Sequence, residues 1–411
     1  FDVSNENEGI SVYIHLPFCE SLCTYCGCNT RITVNHKVET VYIQALLKEW
    51  KLYMDLFGRK PKIKELHLGG GAPTFFNPIR LKHLIENLFS EAFLCDNVEL
   101  SFEAHPNNTS DEHLKGLYQL GFRRLSLGIQ DFDPDVQTII NRIQSYESVK
   151  YVTQKARESG YTSVNYDLIY GLPLQTQRSM KKTIEKVLQL RPDRIAFYSY
   201  AHVPWLKPGQ RKFTEIDLPA GETKRALYEQ GRVLFEEAGY KELGMDHFVL
   251  ETDSLYHASG QNKLNRNFMG YTSTDTKLLI GLGVSAISDA WNGFIQNQKT
   301  VEAYYKDLEN DIFPFFKGHV QSTDDIIIRK HILNIMCRME TSWNEKTDQC
   351  NGIYDALERL HEMEKDNLVI IQNNHLQVSA LGKPFVRNIC MAFDNRLWES
   401  KPQTLFFSTS I

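Results

Sequence analysis

From residue 12 to about 200 the sequence alternates short apolar runs with longer segments of helical period, the βα pattern of a parallel sheet closing toward a barrel. The pattern predicts strands over Val12–Leu16, Glu65–Leu68, Val98–Ala104, Arg124–Ile129, Ser163–Ile169 and Arg194–Tyr200. Between them fall amphipathic helices such as Ile79–Phe89, where Leu81, Leu84, Ile85 and Leu88 share one face. Six such units suit an α/β fold of the partial-barrel kind, and parallel barrels carry their chemistry at the C-terminal ends of the strands. The unusual residues fall there. Four crowded cysteines follow the first strand, Gly69 to Pro73 follow the second, Glu103 ends the third, Gln130 ends the fourth, and Asp167 lies near the end of the fifth. Five such features converging on one face predict a site.

Cys19, Cys23, Cys26 and Cys28 lie within ten residues, spaced C-x3-C-x2-C-x-C. Iron-sulfur clusters usually take four cysteines, one per iron. A compact C-x3-C-x2-C loop with no distant C-x-x-C partner therefore reads as a cluster held by three thiolates, with one iron of a 4Fe-4S cube open to a substrate or cofactor. Structural zinc wants two separated ligand pairs, and cysteines flanking a single glycine do not easily close a tetrahedron. A disulfide suits a secreted chain, but the polar, acidic N-terminus shows no signal peptide.

With Tyr13, His15, Pro17 and Phe18 before it and Cys28 after it, the cysteine loop resembles that of the radical S-adenosylmethionine enzymes, in particular the oxygen-independent coproporphyrinogen III oxidases. The likeness continues through Gly69 to Pro73, Glu103, Leu127 to Phe132, Asn141-Arg142, Asp167 to Pro173, Asn265 to Tyr271, Gly281 to Ser288 and Arg387 to Asp394, almost the whole chain. It implies a radical SAM barrel with a C-terminal, mainly helical domain. It also implies that Cys19, Cys23 and Cys26 ligate a 4Fe-4S cluster and that Cys28 does not, standing instead near the active site. Tyr13, Gly70, Glu103 and Ile287 would contact one S-adenosylmethionine. Tyr25, Gly27, Gly71, Ala72, Gln130, Arg142, Asp167 and Ala201 would line a second cofactor position. Ala72, His105 and Met269 stand where the family pattern has Thr, Asp and Gln. The changes at 72 and 269 remove a hydroxyl and an amide, so the resemblance implies one S-adenosylmethionine or two.

The implied reaction is oxidative decarboxylation of two propionates of coproporphyrinogen III to vinyl groups, giving protoporphyrinogen IX in haem biosynthesis. A 5'-deoxyadenosyl radical would abstract hydrogen, with Tyr13, Cys28 and Glu103 as catalytic residues, an unidentified reductant supplying electrons and a terminal acceptor taking the last one. The alternatives are a haem chaperone of the same superfamily, whose members carry an aromatic residue where this chain has Cys28, and a radical haem methyltransferase. Candidate partners for the substrate's propionates are Arg31, Lys207, Arg211, Lys212 and Arg266. His15 and His202 are as well explained by structural hydrogen bonds as by acid chemistry.

Residues 201 to about 318 look less regular, with a helix over Ala220–Ala238. From about 320 the pattern becomes helix, helix, hairpin, helix, with Asn373 and Asn374 suited to the hairpin turn, and reads as winged-helix-like. The expected division is 1–250 for the barrel, 251–318 for an extension carrying active-site segments, and 319–411 for the helical domain. Residues 320–395 carry 8 Lys/Arg against 11 Asp/Glu, and the chain carries 46 against 51, a net charge of -5, so no nucleic-acid partner is expected. No apolar run reaches the length of a membrane span. Cys95, Cys337, Cys350 and Cys390 read as buried thiols. A cytoplasmic monomer is expected, and a chain that begins with Phe is expected to lack its true start.

Overall fold

Alternate residues of the first strand part company. Ile10, Val12, Ile14 and Leu16 are wholly buried, while Tyr13 and His15 point to the opposite face. The computed structural model, which describes residues 1–344, 346–348 and 350–400, turns the six apolar runs into strands. These are β1 (Ile10–Leu16), β2 (Lys62–Gly70), β3 (Phe93–Ala104), β4 (Arg124–Gln130), β5 (Ser163–Tyr170) and β6 (Arg194–Ser199). They pair in sequence order and always in parallel. Parallel neighbours need long crossovers, supplied by α1 (Val38–Phe57), α2 (Pro78–Ser90), α3 (Asp111–Gln119), α4 (Pro134–Ile139), α5 (Tyr146–Ser159) and α6 (Gln177–Leu190), with α7 (Gly221–Glu237) following β6. In α2, Asn77 caps the first turn by accepting from Ile79 N, Pro78 opens the helix, and Leu81, Leu84, Ile85 and Leu88 form the expected buried stripe.

The stretch expected to be irregular contains more strands. β7 (Leu279–Leu282) pairs in parallel with β1 on the side away from β2, with Gly281 opposite Tyr13. It continues antiparallel through β8 (Ile287–Asp289) and β9 (Gly293–Asn297), and β10 (Phe315–Val320) lies beside β9. A four-residue strand cannot display an alternation, which is why the sequence pattern missed it. The parallel array stays open, because β6 and β7 are not neighbours, and the result is a partial (βα)6 barrel.

A polar clamp fixes β7 to the end of β1. The fully buried Glu49 of α1 accepts from Gly283 N (2.8 Å), Asn297 Nδ2 (2.6 Å) and the Tyr304 hydroxyl (2.6 Å). Tyr42, two turns earlier on the same helical face, donates to His15 O (2.8 Å) and accepts from Val284 N (2.9 Å). Burial pushes the Glu49 carboxyl up to about 7.

The chain divides into two compact units, residues 1–239 with 276–319 and residues 240–275 with 320–411. The expected cut after 318 lies within a residue of the boundary after 319, while in place of a cut at 250 residues 240–275 join the second unit, where Leu243, Val249, Leu255, Leu264 and Tyr271 share a core with Cys337. Tyr271 also accepts from Met245 N (2.9 Å) and donates to Met336 O (3.0 Å). Taken by itself, the second unit is helical. Thr323–Arg338, Asn351–Arg359 and Val386–Phe393 surround Ile335, Ile353, Leu360, Leu376 and Phe393. Its hairpin, Val369–Gln372 with His375–Val378, turns on Asn373 and Asn374, both left-handed (φ 52° and 58°), and is joined by a third strand, Glu340–Ser342. Cys337, Cys350 and Cys390 are buried and Cys95 is half-buried, all as free thiols. Among the described residues no helix is long and apolar enough to cross a membrane.

Candidate active site

The strand ends of the first unit bring the chemistry together, starting with the cysteine loop. After Pro17 the chain makes a short strand, Phe18–Cys19, parallel to Arg31–Ile32, which closes the loop at its base. Its outer side is gripped from α4, where Thr24 N donates to Ile140 O (2.9 Å) and Asn141 Nδ2 to Leu22 O (2.8 Å). From the loop after β6, the buried Gln210 donates to Tyr25 O and Ala201 O, both at 3.2 Å. The Tyr25 ring packs on Val136, Ile140, Leu172, Tyr200 and Phe213.

Cys19, Cys23 and Cys26 are half-buried and Cys28 is exposed. Burial pushes the Cys19 thiol up to about 12, and the neighbouring Cys26 and Cys28 thiols shift one another, Cys26 downward and Cys28 upward. Among the described residues no three His, Cys, Asp or Glu side chains converge on a single metal ion. A cube held by three thiolates does not ask for that, since each sulfur takes its own iron.

The triple glycine lies where backbone must pass close to these groups. A Cβ on Gly71 would sit 2.7 Å from Pro17 O and 2.9 Å from Cys19 Sγ. A Cβ on Gly70, whose φ is +120°, would meet the His15 ring at 3.0 Å, and one on Gly69 would meet the Tyr13 ring at 2.9 Å and Glu103 Oε1 at 3.1 Å. Ala72 is buried, its N–H on Phe18 O at 3.2 Å, and Gly27 stands open with nothing within 4 Å.

Tyr13 and His15, alternate residues of β1, form a relay. His15 Nε2 lies 2.8 Å from the carbonyl of Asn29, so that nitrogen carries the proton, and Nδ1 accepts from the Tyr13 hydroxyl at 3.0 Å. Burial lowers the His15 pKa and keeps the ring neutral, while burial, Glu103 and Cys28 raise the Tyr13 phenol well above its ordinary value. His67 stacks on Tyr13 (6.1 Å) and lies 2.8 Å from Ser101 Oγ and 3.4 Å from Glu103 Oε1. Asp167 accepts from Ser126 Oγ and Asn165 Nδ2, both at 2.9 Å, and burial with the nearby Glu103 lifts it to about 6.

At the end of β4 the register shifts between Gly128 and Gln130, and Gln130 takes a left-handed φ of 64°. The bulge is pinned by amides. Gln144 Nε2 donates to Gly128 O (3.2 Å) and Ile129 O (2.5 Å), and Gln137 Nε2 to Asp131 O and Gln144 O, both at 2.9 Å. Arg142 donates to Gly128 O (2.6 Å) and to Cys23 Sγ (3.7 Å). Its Nε and the Gln130 Oε1 are buried without a hydrogen-bond partner, as polar atoms left for a ligand would be. Ile287 stands one strand from Tyr13, for its carbonyl is what a Cβ on Gly281 would strike at 2.5 Å.

Most of the residues expected from the sequence therefore gather at one set of strand ends. Arg31 is instead paired with Glu302 (3.0 Å), and Arg266 lies in the second compact unit, 4.7 Å over the Tyr271 ring. Lys207 Nζ reaches Cys28 O (3.3 Å), Arg211 Nε donates to Pro204 O (3.0 Å), and His202 lies 3.1 Å from the Tyr200 hydroxyl. Sequence reasoning missed His67, Ser101 and Asn165, which alternation could have placed on the face of Glu103 and Asp167. It also missed Gln137, Gln144 and Gln210, for which no local signal exists.

An open parallel barrel with three half-buried cysteines, the first of them against a glycine cradle, has the architecture of a radical S-adenosylmethionine enzyme, and residues 13–187 match the radical SAM superfamily. Its cofactors are a 4Fe-4S cluster and S-adenosylmethionine. Oxygen-independent coproporphyrinogen III oxidases from Synechocystis sp. and Salmonella typhimurium are 37% and 38% identical to the chain, over 97% and 94% of it and 87% and 85% of their own lengths. The solved structure of coproporphyrinogen III oxidase from Escherichia coli, described as a radical SAM enzyme, aligns with a TM-score of 0.91 at 36% identity, covering 95% of this chain and 91% of that one. The chain belongs to the oxygen-independent coproporphyrinogen III oxidase family.

Proposed function

We propose that the strand-end residues described above carry the reaction of this family, the oxygen-independent oxidation of coproporphyrinogen III to protoporphyrinogen IX. The observation that carries this reading is the cysteine loop itself, with three half-buried sulfurs, the first closed against Gly71, and the fourth exposed. Cys19, Cys23 and Cys26 hold the cluster, and Cys28 serves the active site. When bound, the cluster and S-adenosylmethionine supply a 5'-deoxyadenosyl radical. Tyr13, Gly70, Glu103 and Ile287 bind the cofactor that is cleaved. Glu103 accepts from its ammonium or hydroxyl groups, and the His15 bond keeps the Tyr13 phenol fixed and neutral. Tyr25, Gly27, Gly71, Ala72, Gln130, Arg142, Asp167 and Ala201 line the neighbouring position. Lys207, Arg211 and Lys212, on the loop that grips the cysteine loop, suit the substrate's propionates. The chain works as a cytoplasmic monomer, with a low-potential reductant and a separate terminal acceptor.

The test is anaerobic reconstitution with iron and sulfide, followed by coproporphyrinogen III, S-adenosylmethionine and dithionite, with mass analysis of the products. Loss of two carboxyl groups per porphyrinogen is expected. Tight haem binding with no carbon dioxide released would overturn the reading.

Asp167 gives a pH dependence of known sign. With its carboxyl at about 6, it accepts fully above that pH and loses the anionic form as pH falls. The KM for S-adenosylmethionine should therefore rise below pH 6, approaching about tenfold per unit. Asp167→Asn should be weaker at pH 8 and flat across the range. A wild-type KM that does not move between pH 5 and 8 would remove Asp167 from the cofactor site.

A further inference from the structure

We propose that Arg142 sets the reduction potential of the cluster, its guanidinium donating to Cys23 Sγ and raising the potential at which the cluster accepts its electron. The inference rests on the reading above that Cys23 is a cluster ligand, and it is separate from any part Arg142 plays in holding a cofactor.

The geometry is specific. Asn141 takes a left-handed φ of 53°, and from that turn two consecutive residues grip two consecutive positions of the cysteine loop, Asn141 Nδ2 on Leu22 O (2.8 Å) and Arg142 Nη1 on Cys23 Sγ (3.7 Å). The other arm of the guanidinium, Nη2, is tied to Gly128 O at 2.6 Å, and the Arg142 N–H to Gln137 O at 2.9 Å, which leaves the fork one orientation. Gly128 is needed for this, since a Cβ there would lie 2.8 Å from Nη2. Among the described residues the Arg142 guanidinium makes no ion pair with a carboxylate; it is bonded to Gly128 O and Cys23 Sγ, and the charges around it include Asp167 as well as Cys23 and Cys19. An arginine guanidinium remains a cation even when buried.

Reduction takes one electron from a low-potential one-electron carrier, adding one negative charge to the cluster and no proton. A hydrogen bond to a ligand sulfur and a fixed positive charge both favour the more negative state, and both raise the potential. Lys207, with Nζ 3.3 Å from Cys28 O, adds to the same field, and Glu103 opposes it.

The measurement is an EPR-monitored redox titration of anaerobically reconstituted protein without S-adenosylmethionine, comparing wild type, Arg142→Met and Arg142→Lys. Arg142→Met removes the charge and the donor. Its reduced-to-oxidised ratio at fixed potential should fall at least tenfold, a midpoint more negative by about 59 mV for one electron. Arg142→Lys keeps the charge but loses the fork, and its midpoint should fall between the two. Unchanged midpoints in iron-loaded variants would overturn the proposal, even if S-adenosylmethionine affinity dropped, because Arg142 would then be a cofactor ligand alone. If Arg142→Met fails to load iron, Arg142→Lys decides by the same criterion. A wild-type chain that assembles no 4Fe-4S cluster would overturn the ligand reading of Cys23, a result distinct from an unshifted potential.

Discussion

Cys23→Ala should yield a folded chain with no stable iron-sulfur cluster and no turnover. With Cys19, Cys23 and Cys26 as the three ligands proposed above, losing one leaves two irons of the cube unheld. The fold should survive, because the loop is held by bonds that do not involve sulfur: Thr24 on Ile140 O at 2.9 Å, Asn141 on Leu22 O at 2.8 Å and Gln210 on Tyr25 O at 3.2 Å. Cys28→Ala is the contrasting case. It removes no proposed ligand, so iron and sulfide per chain should stay near wild type while turnover falls about 10- to 100-fold. Iron analysis, the visible absorbance of the cluster and the porphyrinogen mass assay read all three outcomes. Equal iron loss in both variants would make Cys28 a ligand and dissolve the three-plus-one division.

The crowding of the cysteines was legible in the sequence because spacing within ten residues survives any fold, while only the family resemblance set Cys28 apart from the other three. So was the barrel, since strands as long as β2 or β3 and helices as long as α2 repeat their pattern often enough to show a period. Glu103 and Asp167 could be placed for the same reason, as both end a recognisable strand. β7 could not. Four residues long, with Gly281 inside it and Gly283 after it, it becomes a strand because β1 offers it an edge, and only the family resemblance pointed to Ile287 beyond it. The place of residues 240–275 was not legible, because the packing of Leu243 and Tyr271 with Cys337 joins segments far apart in sequence. The grip on the cysteine loop was invisible for a related reason. Gln137, Gln144 and Gln210 act through single long-range hydrogen bonds to backbone carbonyls, and such bonds leave no periodicity.

Gly71→Ala should damage the site more than its one added carbon suggests. The Cβ would lie 2.7 Å from Pro17 O, 2.8 Å from Pro17 C and 2.9 Å from Cys19 Sγ, so it meets two backbone atoms and a cluster ligand rather than the end of a flexible side chain. Neither side can give way cheaply. Gly71 N is bonded to Leu16 O at 2.9 Å and Ala72 N to Phe18 O at 3.2 Å, which ties the glycine strand to the same segment it would have to move away from. Overpacking of this kind costs about 1–3 kcal/mol, and a ligand displaced by about 1 Å can cost about 100-fold in turnover. Gly116→Ala is the control, a helical glycine in α3 with nothing within 4 Å of its Cβ, where the substitution should stabilise by about 1 kcal/mol. Urea unfolding gives the stability arm, and iron content with turnover gives the site arm. Full iron and wild-type turnover in Gly71→Ala would show that Cys19 can shift without consequence, and the close contact between the glycine cradle and the first cysteine would then not be what shapes this site.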